Sequence, residues 1–373
     1  MRIQLIGNYR PDGQESMQRY ADSLNSALLG AGLDVSVVRP PVLFGHLRRR
    51  GHGARVVGYL DKFLVFPLML LLKSWAADII HICDHGNAMY TWLFSRQRTV
   101  VTCHDVFSVG AALGHCPQAP ISRLGHILQA AIVAGLRRAN GIVCVSKNTA
   151  LGLADVVFRG SNRSKVIHHC LNWNYRPASL GEVHETRDRL SLPGDYLLHV
   201  GSNNWYKNRD GVLRIVAHLK SLPEFAGMTL VMVGKPLTAA LLQAIQDLGL
   251  QGSVVAVHRI KNEELASLYT GATALLFPSL AEGFGWPILE AQACGCPVIT
   301  SDREPMREVA GDGALFVDPT DPLGAAECIA RSAKCLPDLR AAGFANLRRF
   351  NQEEVLGEYL AFYRSVLVSS PAE

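Results

Sequence analysis

The segment Phe277-Pro278-Ser279-Leu280-Ala281-Glu282-Gly283-Phe284-Gly285-Trp286-Pro287-Ile288-Leu289-Glu290-Ala291 reads as strand end, loop and helix in one short stretch. The apolar run Ala272 to Phe277 that leads into it has the composition of a buried strand. Pro278 ends that run, because a proline cannot donate to a sheet ladder. Glycines and a glutamate follow as a loop. Pro287 is expected at the first helical position, where its fixed φ suits the turn and its missing N–H is not needed. Glu282 then falls in a strand-to-helix loop, and Glu290 about one turn into the helix. In open α/β sheets ligands bind in a crevice at the carboxyl ends of the strands. Two carboxylates and several free backbone N–H groups therefore converge on one candidate site.

Strand and helix alternate on either side of this segment. Strands are expected at Arg2 to Ile6, Val35 to Val38, Ile79 to Ile82, Thr99 to Thr102, Gly141 to Val145 and Val166 to His168. Between them, helices are expected from about Gln14 to Leu29, Val56 to Trp75 and Ser122 to Ala139. Asp12 is the expected N-cap of the first, with Glu15 at capping-box spacing. The polar, proline-containing stretch from about Asn172 to Pro193 reads as a linker. The alternation then resumes from Tyr196 and closes with a helix from Gln352 to Val368, capped by Asn351. This pattern implies parallel sheets covered on both faces. The expected fold is α/β, with two doubly wound Rossmann-like domains facing a cleft. Residues 1–175 form the first domain, residues 190–350 the second, and residues 351–373 a C-terminal helix and tail that return to the first.

Composition agrees with a globular chain of two domains: 373 residues, 49% hydrophobic and 18% charged. The net charge of +5 suits anionic substrates or an anionic surface and is too small to imply nucleic acid. The nine cysteines are odd in number, and Cys83, Cys103, Cys144 and Cys294 lie in apolar strand-like runs. That usage predicts reduced thiols and a cytoplasmic protein. Cys294-Gly295-Cys296 lacks the spacing of a metal half-site, and no Asp-x-Asp occurs, so no metal and no cofactor are expected. The N-terminus, Met1-Arg2-Ile3-Gln4-Leu5-Ile6-Gly7, reads as a strand rather than a signal peptide. The longest apolar stretch, Phe63 to Leu72, is interrupted by Pro67 and is too short to span a bilayer. Arg48, Arg49 and Arg50 precede it, and a basic patch beside an apolar helix predicts peripheral contact with the inner face of a membrane.

The central segment resembles the E-x7-E motif of retaining GT-B glycosyltransferases of family four, the group 1 glycosyltransferases. Other segments extend the resemblance. His199-Val200-Gly201-Ser202-Asn203-Asn204-Trp205-Tyr206-Lys207-Asn208 is similar to that family's first C-domain strand and diphosphate-binding loop. Val101-Thr102-Cys103-His104-Asp105 and Val145-Ser146-Lys147-Asn148-Thr149 resemble N-domain strand ends. The resemblance implies that Glu290 holds the ribose hydroxyls of a nucleotide sugar. It places Glu282 near the donor sugar, with backbone contacts from Gly283, Phe284 and Gly285. Lys207 is implied as the lysine on the donor diphosphate, and His104 as an N-domain histidine near the reacting sugar. Gly13 corresponds to the glycine-rich first loop, Ser202 to the donor-binding loop, and Ile260 to the place where the nucleotide base is read. Two departures stand out. The arginine that often precedes the lysine is replaced by Ser202, Asn203 and Asn204, while Arg209 follows Lys207. The double glycine of the first loop is reduced to Pro11-Asp12-Gly13-Gln14.

The activity so implied is metal-independent, retaining transfer of a hexose. The donor is GDP-mannose or a UDP-hexose, and the acceptor a hydroxyl of a saccharide or lipid-linked glycan. Negative charge builds on the departing diphosphate, which preorganised cations and helix N-termini stabilise. The rival readings are a non-catalytic nucleotide-sugar-binding protein, favoured by the missing arginine, and a nucleotide-sugar epimerase of the same fold.

Overall fold

In the computed structural model, strands pair in parallel within two six-stranded sheets. The structure describes residues 1–47, 58–74, 76–114, 122–156, 164–192 and 194–368. The first sheet holds β1 (Arg2–Ile6), β2 (Asp34–Val38), β3 (Ile79–Ile82), β4 (Thr99–Cys103), β5 (Gly141–Cys144) and β6 (Ser164–Val166), in the order β2-β1-β3-β4-β5-β6. The second holds β7 (Tyr196–Gly201), β8 (Thr229–Gly234), β9 (Val254–Val257), β10 (Ala274–Phe277), β11 (Val298–Ser301) and β12 (Ala314–Val317), in the order β12-β11-β10-β7-β8-β9. The direction of winding reverses between β1 and β3 in the first sheet and between β7 and β10 in the second. Such reversals open a crevice at the carboxyl ends of the two strands.

The central strands are apolar on both faces, as parallel strands covered by helices must be. All four residues of β10 are buried. Leu230, Met232, Leu276 and Ile299 pack with Val212, Leu213 and Val216 of the helix Arg209–Lys220. The chain divides into two compact units, Met1–Asn172 with Gln352–Glu373, and Trp173–Asn351. The helix Gln352–Val368 thus belongs to the first unit. Its Tyr363 hydroxyl meets His81 Nδ1 at 2.6 Å, and His81 Nε2 meets Thr102 Oγ1 at 2.7 Å. The Tyr20 hydroxyl lies 2.8 Å from both Thr102 Oγ1 and the Tyr359 hydroxyl. The described cysteines are free, and Cys83, Cys103, Cys144 and Cys294 are buried in the apolar runs.

Four local expectations are corrected. Asp12 does not cap the first helix. It ends a 3-10 turn, Arg10–Asp12, and its carboxylate accepts from Lys62 Nζ at 2.9 Å. Gly13 in the left-handed region (φ 67°) then turns the chain, so the helix Glu15–Gly30 starts without a side-chain cap. The apolar helix is not regular either. Asp61–Val65 forms a π turn, with Phe66 N–H donating to Asp61 O five residues back, before Phe66–Lys73. The wider turn accommodates Pro67, whose ring would clash with a carbonyl four residues back in a regular helix. The expected linker contains a helix, Leu180–Arg189, opened by a capping box: Ser179 Oγ accepts from Glu182 N–H and Glu182 Oε2 accepts from Ser179 N–H. Finally, β6 ends at Val166, ahead of the expected Val166 to His168.

The helical run from Leu60 through the π turn to Lys73 buries Phe66 and Leu70 in the first core and exposes Leu60, Phe63, Leu64, Leu68, Leu71 and Leu72. Counted from Leu60, these six side chains fall at i, i+3, i+4, i+8, i+11 and i+12, the spacing of one broad helical face. Arg48, Arg49 and Arg50 lie outside the described residues.

Candidate active site

The reversal between β7 and β10 brings two loops together. The first leaves β7 through Ser202, Asn203 and Asn204, makes a 3-10 turn at Trp205–Lys207, and reaches Asn208 in the left-handed region (φ 52°). Asn208 Nδ2 donates to Pro278 O and to Pro319 O, each at 2.9 Å, tying this loop to those after β10 and β12. Leu280 N–H donates to Tyr206 O at 2.7 Å. Between these ties, Lys207 Nζ meets Glu282 Oε1 at 2.7 Å. The two side chains are only 15% and 7% exposed, and the ammonium lies 5.0 Å from the centre of the Phe277 ring. A largely desolvated ion pair therefore stands where β7 and β10 end. It offers a cation for an oxyanion and a carboxylate for hydroxyl groups.

Glycine is required on both sides of this pair. Gly285 (φ 106°) is the N-cap of the helix Trp286–Ala293, a conformation that L side chains rarely adopt. Pro287 is the second helical residue rather than the first, because Trp286 already has helical geometry after that glycine. At Gly234 (φ 143°), the last residue of β8, a Cβ would stand 2.0 Å from Gly201 O, so β7 and β8 approach closely only without one.

Glu290 is buried one turn into the same helix and accepts from the Tyr269 hydroxyl at 2.9 Å. Burial, and then the Glu290 charge, raise the Tyr269 phenol well above its ordinary value, so it remains a donor. Gly283 and Gly285 flank the helix N-terminus, while the Phe284 ring is buried edge-on against Phe350 at 5.9 Å. Ser202 is half-buried and its hydroxyl accepts from Asn204 N–H at 3.4 Å. Ile260, half-buried, follows Arg259, which also has positive φ (53°).

The structure therefore joins Lys207 to Glu282 directly and sets Glu290 in the helix that follows the Glu282 loop. His104 and Gly13 belong to the other unit. His104 follows β4 and is buried. Its Nε2–H donates to Cys83 O at 2.8 Å, which leaves Nδ1 to accept from His169 Nε2 at 3.2 Å. Burial lowers its pKa, against the opposing charge of Asp84. Asn8 after β1 donates to Asp84 after β3, across the reversal in the first sheet. Gly13 has open space around its Cβ position, so its left-handed φ is what calls for glycine there.

Sequence reasoning missed His199, Tyr269, Asn208, Asn8, Asp84 and His169. His199 lies inside β7, donates from Nδ1 to Leu276 O at 3.0 Å, and stacks on Phe277. Only the strand order, which seats β7 beside β10, gives it that neighbour. Among the described residues no group of three or more His, Cys, Asp or Glu is placed to hold a metal ion.

Comparison with known proteins gives a consistent result. Residues 185–341 match the family described as Glycosyl transferases group 1, and residues 17–172 match Glycosyltransferase Family 4. The O-antigen chain mannosyltransferase RfbU of Salmonella typhimurium is 32% identical over 170 residues, 45% of this chain and 47% of that protein. The O-antigen chain mannosyltransferase B of Escherichia coli is 25% identical over 307 residues, 78% of this chain and 77% of that one. The match thus spans about half the length of the first relative and about three quarters of the second. Among solved structures, sucrose-phosphate synthase from Thermosynechococcus elongatus superposes with a TM-score of 0.77 at 21% identity, covering 99% of this chain and 100% of that one.

Proposed function

The chain belongs to the group 1 glycosyltransferases of two-domain GT-B fold, and we propose that it moves a hexose from a nucleotide sugar to a hydroxyl of a saccharide or lipid-linked acceptor, retaining configuration and needing no metal. The observation that carries this reading is the Lys207–Glu282 pair at the β7–β10 reversal. As the bond from the anomeric carbon to the diphosphate breaks, charge collects on the leaving oxygens. Lys207 is a preorganised cation at that place, where exclusion of water increases its effect. Glu282 orients the sugar through its hydroxyls, and Glu290, steadied by Tyr269, holds the ribose. The relatives named as mannosyltransferases favour mannose as the transferred sugar, and so, of the donors expected from the sequence, GDP-mannose.

The test is turnover of GDP-mannose, UDP-glucose, UDP-galactose and ADP-glucose by the purified chain with and without a chelator. The expected result is release of nucleoside diphosphate from one donor class, unaffected by chelator, with an α-linked product from an α-linked donor. Binding without turnover of any donor would support the non-catalytic alternative, and an epimerised sugar the other.

Membrane contact rests on a separate observation, the exposed apolar stripe of the first unit. No described helix is long and apolar enough to cross a membrane. An exposed apolar face that ends at the exposed Lys73 suits an anionic surface instead. The native chain should float with phosphatidylglycerol vesicles. Leu64→Ser, Leu68→Ser and Leu72→Ser together should abolish flotation without loss of fold, since each leucine forfeits roughly 1.5–3 kcal/mol of apolar burial. A native chain that stays with the soluble fraction refutes the contact.

A further inference from the structure

Where the family resemblance implies a diphosphate-binding arginine a few residues before the lysine, this chain has Ser202, Asn203 and Asn204, yet a second cation, itself buried, stands two residues beyond Lys207. Arg209 opens the helix Arg209–Lys220 and is 4% exposed. Its Nη1 donates to Lys235 O at 3.0 Å and to Asn203 Oδ1. Its Nε and Nη2 are buried with no hydrogen-bond partner among the described residues. Nor does any described carboxylate pair with it, since the adjacent Asp210 is held by Arg214 at 2.7 Å. In a planar guanidinium Nε–H and one Nη2–H point the same way, forming the fork that grips an oxyanion through two parallel bonds. The unmet pair of donors is that fork.

A buried cation without a counter-charge is costly, and the cost is relieved where a ligand brings the missing charge. The surroundings add to the deficit. Lys207 lies beside the same strand end: a Cβ on Gly201 would stand 3.5 Å from Lys207 Cβ and Cδ, and 3.0 Å from His199 Nε2. Burial pushes the His199 imidazole down to about 3, and the charges of Arg209 and Lys207 push in the same direction. The N-terminus of a twelve-residue helix contributes further positive potential at Arg209.

We propose that the Nε–Nη2 fork of Arg209 binds the diphosphate of the donor beside Lys207, so that the cation absent from the stretch Ser202, Asn203 and Asn204 is supplied from residue 209. The assignment rests on the nucleotide-sugar reading given above. Asn203, an exposed loop residue, holds the far side of the guanidinium and leaves the fork to the ligand.

The test is thermal unfolding of the full chain with inorganic pyrophosphate, UDP and GDP, alone and after Arg209→Met. The native midpoint should rise with pyrophosphate and with at least one nucleotide. R209M should keep or raise the midpoint of the free chain, because an uncompensated charge is gone, and should bind pyrophosphate about ten- to a hundredfold more weakly. A merely structural Arg209 would give the reverse: a lowered midpoint for the free chain with unchanged pyrophosphate affinity, and that result overturns the proposal. Should R209M not fold, Arg209→Lys keeps the charge and removes the fork. Weaker pyrophosphate binding by R209K is then expected, and native affinity overturns the assignment. A native chain indifferent to all three ligands would instead defeat the nucleotide-sugar reading itself.

Discussion

Lys207→Ala should lower turnover by about a hundred- to a thousandfold, the range seen when one preorganised donor to a developing oxyanion is removed. The loss should fall mainly on kcat, because the lysine's charge matters most when the diphosphate carries its full negative charge. The same substitution has a second consequence. Glu282 is more buried than Lys207 and takes its ammonium at 2.7 Å, so the alanine leaves a carboxylate without its partner. Removing one member of a largely buried pair is destabilising. Glu282→Gln in the Lys207→Ala background removes that stray charge. The double variant should therefore regain most of the lost thermal stability and none of the turnover. Glu282→Ala alone should also abolish turnover while the chain remains folded. Steady-state rates with the preferred donor, measured beside unfolding midpoints, separate the two effects. Undiminished rates in both single variants would remove the pair from the reaction.

The contact at the centre of that prediction was not legible in the sequence, although both residues were. Glu282 and Glu290 announce themselves because Pro278, Gly283, Gly285 and Pro287 punctuate the segment so strongly. Lys207 and Glu282 are 75 positions apart and meet only because β7 sits beside β10, a choice made by tertiary packing. The same limit hid His199 and Tyr269, which read as ordinary members of a strand and a helix. Local signals were uneven guides. Asp12 with Glu15 and Ser179 with Glu182 share one spacing, yet only the second is a capping box. Gly13 in the left-handed region separates Asp12 from its helix, and no spacing rule registers that turn. The helix Leu180–Arg189 was overlooked because a polar, proline-flanked stretch outweighed its own start signal. The two parallel sheets, by contrast, follow from composition: runs buried on both faces have little choice but the middle of such a sheet.

A chain ending at Asn351 should lose the fold of its first unit while the unit Trp173–Asn351 keeps its own. The helix Gln352–Val368 is not an appendage to the nearer sheet in sequence. Its Tyr359, Phe362, Tyr363 and Val366 are buried in the first unit. Deleting a buried large aromatic side chain costs about 3–5 kcal/mol, and three of them together approach the roughly 5–15 kcal/mol by which a domain is stable. The polar losses act in the same direction. Without the helix, His81 Nδ1 loses the Tyr363 hydroxyl, Tyr20 loses the Tyr359 hydroxyl, and Asn140 Nδ2 loses Val366 O. Each is a hydrogen bond between the helix and the rest of the first unit that the truncated chain cannot make. Gly141 of β5 shows how closely the helix seats. A Cβ there would stand 2.7 Å from Phe362 Cζ and 2.8 Å from Val366 Cγ2. Limited proteolysis of the chain 1–351 should therefore digest the first unit and spare a fragment near Trp173–Asn351, whereas the full chain resists at both. A milder change, Tyr363→Phe, removes one hydroxyl and should cost about 1–3 kcal/mol of the first unit's stability. If the truncated chain protects its first unit as well as the full chain does, the helix is dispensable to that fold and its buried aromatic contacts contribute far less than their burial implies.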